Sequence, residues 1–298
     1  DIPLNIKRII AIGGGTVIDI SKFLILDYDG KIDQVINREI SFNKVRSLYV
    51  VPTTVGTGSE VTNVAICEMI ERKTKKGLAD DLIYPDKAVL IPKLVKTLPY
   101  KFFATSSIDA LIHSIESFVS PNATYYSRIF SKEAMTIILG CYKKVVSGEN
   151  WNKYAKDFLY ASNLAGIAFN NAGCGAVHAL SYPLGGTYHI PHGEANMLMF
   201  EAVFKKYREK DPSGKINDLY LILSDVLGCD KDCALDEMFK LLDFILKRNP
   251  LNTYGVKKEE LLEFAKSVIQ NQGRLLANNY TSLSEDEMLE IYESVFDK

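Results

Sequence analysis

The four histidines of this 298-residue chain all fall within one window of about eighty residues: His113, His178, His189 and His192. Asp109 lies four positions before His113, so on a helix the two side chains would share one face and could hold one ion. The same spacing also fits a polar contact on a packed helix. The remaining histidines decide between these two interpretations.

The segment GCGAVHALSYPLGGTYHIPHGEAN carries His178 and His192 around a bend rich in proline and glycine. Such a bend could fold both rings toward one point. Together with Asp109 and His113 they would form three imidazoles and one carboxylate, a set that suits Fe(II) or Zn(II) and leaves a position for a substrate oxygen. His189 stays outside this set, either as a hydrogen-bonding residue of the pocket or as a structural histidine.

The motif IIAIGGGTVID indicates a phosphate-binding turn. A strand at residues 9–12, which we expect to be buried, runs into Gly13, Gly14 and Gly15, and a helix is predicted to begin near Thr16. The glycines let the backbone approach a diphosphate, which the helix-terminal N–H groups would face. The motif is not G-x-G-x-x-G, and it also fits an ordinary tight turn.

A second loop, VPTTVGTGSEVTN, follows the predicted strand SLYVV and offers the hydroxyls of Thr53, Thr54, Thr57 and Ser59. Two such loops at the carboxyl ends of strands predict a dinucleotide site. The alternative is a loop that caps and opens a helix through its serine and threonine side chains.

The chain shows two sequence patterns, one after the other, and they indicate which elements position these groups. Residues 1–98 alternate short β-rich runs with loops and one helix, which predicts an α/β dinucleotide-binding domain with a parallel sheet. We expect this domain to be partial and to lack its first strands, because the chain reaches the glycine turn within about a dozen residues. Residues 99–298 show apolar spacings of three, four and seven, which predict an all-α domain. The candidate metal ligands all lie in this domain, so we expect it to be the metal-binding and catalytic one.

Composition excludes several classes of protein. The net charge of −2 and the even spread of lysine and arginine argue against a nucleic-acid partner. The apolar runs are shorter than the roughly 20 residues of a membrane helix, and the N-terminus lacks a signal-peptide layout, so we expect a cytoplasmic protein without a membrane partner. The five cysteines are scattered; Cys229 and Cys233 could clip a metal, but without a second pair we favour ordinary thiols.

Four blocks of the sequence resemble, in order and spacing, those of the iron-dependent (group III) alcohol dehydrogenases. They are GGGTVID, PTTVGTGSEVTN, DALIHSIESFVSP and AFNNAGCGAVHALSYPLGGTYHIPHGEAN, and the resemblance covers essentially the whole chain. Segments such as LPYKFFATSSIDALIHSIESFVSPNA are most similar to members whose substrate is a short alcohol with a carboxylate at its far end.

The resemblance implies a role for individual positions. Asp109, His113, His178 and His192 match the metal ligands, which hold Fe(II) in most members and Zn(II) in some. The positions that match cofactor-binding residues, the last two of them near the nicotinamide, are Gly13, Gly14, Gly15, Thr16, Asp19, Thr53, Thr54, Thr57, Lys76 and Phe169. The family also implies an active site between an N-terminal Rossmann-like and a C-terminal helical domain, in a homodimer or larger homo-oligomer.

The sequence departs from the family at Tyr182, where many members have a histidine beside the nicotinamide. A phenol does not carry protons near neutrality without a large shift of its pKa, so a proton relay at this position is in doubt. We take Tyr182 and His189 as the candidate catalytic residues. Tyr182, Tyr188 and His189 could each donate a hydrogen bond to the substrate carboxylate, and the sequence does not distinguish among them. The strand and turn that would read the adenine ribose are not in the sequence, and we favour NAD over NADP.

The expected activity is metal-assisted hydride transfer between NAD(H) and a primary alcohol or aldehyde, with a small and carboxylated substrate. Three alternatives stay open. The first is a general iron-dependent alcohol or diol dehydrogenase, and the second is an enzyme like glycerol dehydrogenase or dehydroquinate synthase. The third is a non-catalytic protein that binds a metal and a nucleotide.

Overall fold

The computed structural model describes residues 2, 3, 5–69 and 74–297, without the side chains of residues 68, 69, 74 and 75. Strands occur in the first third of the described chain. They are β1 (Arg8–Gly13), β2 (Leu26–Asp27), β3 (Asn43–Lys44), β4 (Ser47–Pro52), β5 (Val64–Met69), β6 (Thr74–Ala79) and β7 (Lys87–Ala88).

Helices dominate the remainder. They are α1 (Gly15–Leu24), α2 (Ile32–Ile36), α3 (Pro92–Val95), α4 (Tyr100–Val119), α5 (Tyr125–Val146), α6 (Ala155–Ala172), α7 (Ala176–Tyr188), α8 (His192–Lys210), α9 (Lys215–Leu227), α10 (Ala234–Ile245), α11 (Leu261–Asn271), α12 (Gly273–Leu276) and α13 (Glu285–Ser294). An α/β part followed by a helical part is the fold class that the sequence predicts, and the prediction is confirmed.

A parallel sheet of order β1-β4-β7 places the two glycine- and threonine-rich loops side by side. The register pairs Gly13 with Pro52 at the carboxyl ends of β1 and β4. The next residue, Thr53, donates its backbone N–H to the carbonyl of Gly13 at 3.0 Å. Both loops therefore begin at one edge of the sheet, as the sequence predicts. The pairs β2-β3 and β5-β6 form separate antiparallel ribbons.

The burial expected for residues 9–12 is wrong. In β1 only Ala11 is buried, whereas Ile10 and Ile12 are 61% and 59% exposed. Side chains of a strand alternate between its two faces. The face that carries Ala11 packs toward α1, and the face that carries Ile10 and Ile12 is mostly exposed in the described chain. In the described chain, the apolar run of β1 therefore predicts a strand correctly but does not predict its burial.

Helix α4 lies at the centre of the helical part, where it packs against α5, α6 and α8. From Ser107 to Val119 every residue is buried. Serine hydroxyls would be costly in such a place, but those of Ser107, Ser114 and Ser117 each donate to the carbonyl of the residue three positions earlier. A helix buried on all sides can bring polar side chains together away from water, and Asp109 and His113 lie on this one.

Two hydrophobic cores lie in the described chain. The smaller one is formed by residues between Ala11 and Ile83, and the larger by residues between Val55 and Tyr292, most of them in the helices. No helix in the described ranges is long and apolar enough to span a bilayer.

Candidate metal centre and cofactor cleft

The four predicted ligands surround one point, although they come from three helices. Each offers one atom, and all four atoms lie within 4.8 Å of one another. Asp109 Oδ1 lies 3.7 Å from His178 Nε2 and 3.6 Å from His192 Nε2, and Oδ2 lies 3.9 Å from His113 Nδ1. Asp109, His113 and His178 are buried, whereas the side chain of His192 is 36% exposed. The cluster is therefore open on the side of His192.

The chemistry of these donors fits a metal ion. The buried atoms His113 Nδ1 and His178 Nε2 have no hydrogen-bond partner within the described ranges, an arrangement that is costly unless something else satisfies them. Burial lowers the pKa of His113 to about 4, so this ring is neutral near pH 7 and keeps a lone pair for a cation. Three imidazoles and a carboxylate suit Fe(II) or Zn(II).

Close backbone packing sets the position of His192 at the start of α8. The next residue is Gly193, and a Cβ atom there would lie 2.0 Å from the carbonyl oxygen of Thr105 in α4. Only glycine allows the first turn of α8 to approach α4 so closely. This approach brings His192 opposite Asp109.

Glu116 contacts His178 on Nδ1, the ring nitrogen that does not face the other proposed ligands. Its Oε2 lies 2.5 Å from His178 Nδ1, and its Oε1 accepts the backbone N–H of Val177 at 2.8 Å. Burial lowers the pKa of His178, but Asp109 and Glu116 on its two sides outweigh this and raise it to about 9. The carboxylates thus retain a proton on the ring, and a bound cation would replace that proton at Nε2. A carboxylate behind a metal-binding histidine orients the ring and makes it a stronger donor.

Asn196 forms a second support for the cluster. It is fully buried, and its Nδ2 donates to Asp109 Oδ1 at 2.8 Å and lies 3.3 Å from His192 Nε2. Neither Glu116 nor Asn196 was predicted as a site residue from the sequence. Their spacing was the available signal, since Glu116 is seven residues after Asp109 on α4 and Asn196 is four residues after His192 on α8.

A cavity of about 450 Å³ connects the ligand cluster with the two loops at the edge of the sheet. This volume is in the range of pockets for small molecules. The predicted site residues that line it are Gly15, Thr16, Asp19, Thr57, Asp109, His113, Phe169, His178, Tyr182 and His192.

The loop that begins α1 fits a pyrophosphate. Gly14 is the N-cap residue of α1 and provides no side-chain cap, so the first N–H groups of the helix are available to a ligand. A Cβ atom on Gly15 would lie 2.7 Å from Thr57 Cγ2, and one on Gly14 would lie 3.1 Å from Thr54 Cγ2. The two loops thus pack together where a larger residue would separate them.

Asp19 faces a buried lysine that the sequence analysis did not single out. It accepts hydrogen bonds from Ser59 Oγ at 2.5 Å and from the backbone N–H of Ile66 at 2.9 Å. Lys22, which is completely buried, lies 3.9 Å from Asp19 and donates to Ser59 Oγ at 2.7 Å and Thr62 Oγ1 at 3.0 Å. Burial lowers the pKa of Lys22 to about 8. These contacts join α1 to the second loop.

Phe169 and Tyr182 lie beside the four proposed metal ligands. The ring of Phe169 stacks on His113, with centroids 4.3 Å apart and an angle of 20° between the planes. The ring centroid of Tyr182 lies 6.1 Å from that of His192. Burial raises the pKa of the Tyr182 hydroxyl well above its ordinary value, so this residue stays protonated and can only donate or accept a hydrogen bond near neutrality.

Other predicted site residues lie outside the cavity wall. Lys76 is exposed on β6, with its Nζ 2.5 Å from Asn37 Oδ1. His189 is exposed at the end of α7, where its φ of 54° makes it the left-handed residue that terminates the helix. The cavity lining also does not include Gly13, Gly14, Thr53 and Thr54.

A parallel sheet with glycine-rich loops, joined to a helical part that carries three histidines and an aspartate, defines a metal-dependent oxidoreductase of the alcohol dehydrogenase type. The family model described as iron-containing alcohol dehydrogenase matches residues 4–92, and the C-terminal model of the Fe-containing alcohol dehydrogenase family matches residues 103–296. The chain belongs to the iron-containing alcohol dehydrogenase family.

Individual relatives agree with this assignment. The chain is 52% identical over 294 residues to 4-hydroxybutyrate dehydrogenase of Clostridium kluyveri. The matched region covers 97% of this chain and 79% of the relative. It is 33% identical to the NAD-dependent methanol dehydrogenase of Bacillus methanolicus over 90% of this chain and 72% of the relative. The crystal structure of a 1,3-propanediol oxidoreductase matches with a TM-score of 0.85 and 26% identity, over 97% of this chain and 77% of the other.

Proposed function

We propose that this alcohol dehydrogenase interconverts 4-hydroxybutyrate and succinate semialdehyde with NAD(H). The observation that carries the proposal is the position of Asp109, His113, His178 and His192 at one wall of a cavity that extends to the loop at Gly15 and Thr16. The identity of 52% to a 4-hydroxybutyrate dehydrogenase supports the choice of substrate.

We assign the four clustered residues to Fe(II), with Zn(II) as the alternative. When bound there, the ion would supply a Lewis acid that lowers the pKa of an alcohol and polarises an aldehyde. The other groups follow from the geometry. Glu116 orients His178, Phe169 provides a flat apolar wall for a nicotinamide ring, and the protonated hydroxyl of Tyr182 donates a hydrogen bond toward the substrate.

The start of α1 would bind the pyrophosphate of the cofactor through its free N–H groups, with Thr57 in the facing loop. NAD is favoured because a relative that is 33% identical is named as NAD-dependent. We also propose a cofactor-binding domain of residues 1–98 and a catalytic domain of residues 99–298, since the smaller core lies within the first range and the larger core is formed mostly by residues of the second. We also propose a homo-oligomer, on the family resemblance, and light scattering in solution is the measurement that tests it.

The substrate is tested by comparing succinate semialdehyde with butanal, each with NADH under the same conditions. The two aldehydes have the same chain length, and only the first carries a carboxylate. A site that pairs this carboxylate should prefer succinate semialdehyde by at least about a hundredfold in kcat/KM, because its donors stay unpaired with butanal. Equal values, or a preference for butanal, would instead indicate a general alcohol dehydrogenase of the same family.

A further inference from the structure

We infer that Arg274 on α12 binds the far carboxylate of the substrate and thereby determines the specificity of the enzyme. The inference rests on the proposed function, since it assumes an acidic substrate. A buried or half-buried carboxylate needs a cation or several donors, because an unpaired buried charge is strongly disfavoured. The cavity must therefore contain a receiving group.

Arg274 is the one lysine or arginine among the described residues that line the cavity. Its guanidinium forms no ion pair or hydrogen bond with any other described residue, unlike that of Arg128 or Arg248, each of which pairs with a carboxylate. A guanidinium offers two parallel N–H groups that match the two oxygens of a carboxylate. Arg274 thus offers the cavity a guanidinium that is not paired with any other described residue and can receive a carboxylate.

Arg274 lines the same cavity as the four proposed metal ligands. Tyr182 and Cys174 line the same cavity, and the ring of Tyr182 is next to that of His192. A substrate whose alcohol carbon lies at the ligand cluster can therefore extend past Tyr182 toward Arg274.

The backbone of Arg274 is fixed relative to His178. The side chain of Asn278 donates to the carbonyl of Arg274 and to that of Cys174, both at 3.1 Å. Cys174 lies just before α7, which carries His178 in its first turn, and Leu275 next to Arg274 is buried. Asn278 thus links the backbone of α12, which carries the guanidinium, to the start of α7, which carries a proposed metal ligand.

Other candidate receivers are less suitable. The hydroxyl of Tyr188 donates to Glu260, outside the cavity. His189 and Lys76 are exposed at places that do not line it. Tyr182 lines the cavity but brings no charge, so it can only assist Arg274.

The test compares Arg274→Met, which removes the charge and keeps an apolar stem, with Arg274→Lys, which keeps the charge and loses the paired N–H groups. Arg208→Met is the matched control, because Arg208 lies on α8 roughly 24 Å along the helix axis from His192 and outside the cavity. The measurements are kcat/KM for succinate semialdehyde and for butanal, the KM for NADH, and the metal content.

For Arg274→Met we expect kcat/KM for succinate semialdehyde to fall by about a hundredfold, with the value for butanal within about threefold of wild type. Arg274→Lys should lose less, and Arg208→Met should match wild type. A binding measurement separates recognition from chemistry. Calorimetry of 4-hydroxybutyrate with the enzyme–NADH complex, in which no hydride can be transferred, should show Kd rise by at least about tenfold in Arg274→Met.

Three results would overturn the inference. They are an unchanged preference for succinate semialdehyde in Arg274→Met, an equal loss for both aldehydes, and a loss that comes only from weaker NADH binding. The proposed function fails separately, and the inference with it, if the wild-type enzyme itself shows no preference for succinate semialdehyde. If the wild type shows the preference and Arg274→Met retains it, only the inference about Arg274 fails.

Discussion

Glu116 and His178 are 62 residues apart in the sequence, and Oε2 of the first lies 2.5 Å from Nδ1 of the second. This contact turns Nε2 of His178 toward Asp109 and the other proposed ligands. Because Glu116 also accepts the N–H of Val177, one buried carboxylate fixes both the ring and the backbone that carries it. We expect the strength of metal binding to depend on this pair.

Glu116→Gln should therefore weaken metal binding by about 10- to 100-fold, since the amide keeps the size of the side chain but removes its negative charge. Competition with a chromophoric chelator measures the affinity. The control is Glu133→Gln, an exposed position on α5. If both variants bind the metal as tightly as wild type, Glu116 has no part in ligand positioning.

Gly15→Ala should weaken NADH binding by at least about tenfold and leave the metal content unchanged. The added methyl group would lie 2.7 Å from Thr57 Cγ2 and would force apart the two loops at the edge of the sheet. Gly140→Ala on α5 is a suitable control, because a Cβ atom there meets nothing within 4 Å. Fluorescence titration with NADH gives the dissociation constants, and equal values for Gly15→Ala and wild type would contradict a cofactor role for this loop.

Lys22 should make the stability of the protein depend on pH. Its pKa is about 8 in the folded chain, because of burial, against an ordinary value of 10.5. Between these values the unfolded chain binds the proton that the folded chain has lost, so stability rises with pH across this window. Asp19 and Glu60 are the charged groups that act on Lys22, and both remain in a Lys22→Met variant.

Urea unfolding at about pH 7.5 and about pH 9.5 tests this prediction. The free energy of unfolding of wild type relative to Lys22→Met should increase by on the order of 2 kcal/mol between the two conditions. Lys205→Met, at an exposed position, serves as the control. A difference between wild type and Lys22→Met that is the same at both pH values would show that Lys22 does not titrate in this window.

Tyr182→His should introduce an ionisation near neutrality into the pH profile of kcat/KM. The hydroxyl of Tyr182 has its pKa raised by burial and does not titrate in the working range, whereas an imidazole at this place could. Tyr182→Phe is the matched control and should show no new ionisation. If the profile of Tyr182→His coincides with that of wild type, the side chain at this position is not in contact with the reacting groups.

The sequence was informative about the metal centre because its signal is local. Asp109 and His113 are four residues apart on one helix, and the rarity of histidine directs attention to His178 and His192. The two loops were also predicted, because parallel strands bring their carboxyl ends to one edge of a sheet. The proposed ligands and the two loops could thus be predicted from the sequence.

Lys22 and Arg274 could not be predicted from the sequence in the same way. Lys22 is buried only because contacts with residues about 40 positions away surround it. Arg274 reaches the cavity through a four-residue helix near the end of the chain, and no sequence pattern links it to the ligands. In the opposite sense, Ile10 and Ile12 were expected to be buried because they are apolar, and the structure leaves them exposed. Such features depend on tertiary packing, which residue type alone does not determine.

The metal content and turnover of His192→Ala test the central claim most directly. His192 is the first residue of α8 and is partly exposed, so its loss should leave the buried core and the fold intact. We predict that the variant, folded by circular dichroism, retains little metal and loses nearly all oxidation of NADH by succinate semialdehyde. A folded His192→Ala variant with the metal content and kcat of wild type would contradict the assignment of this cluster as the catalytic metal site.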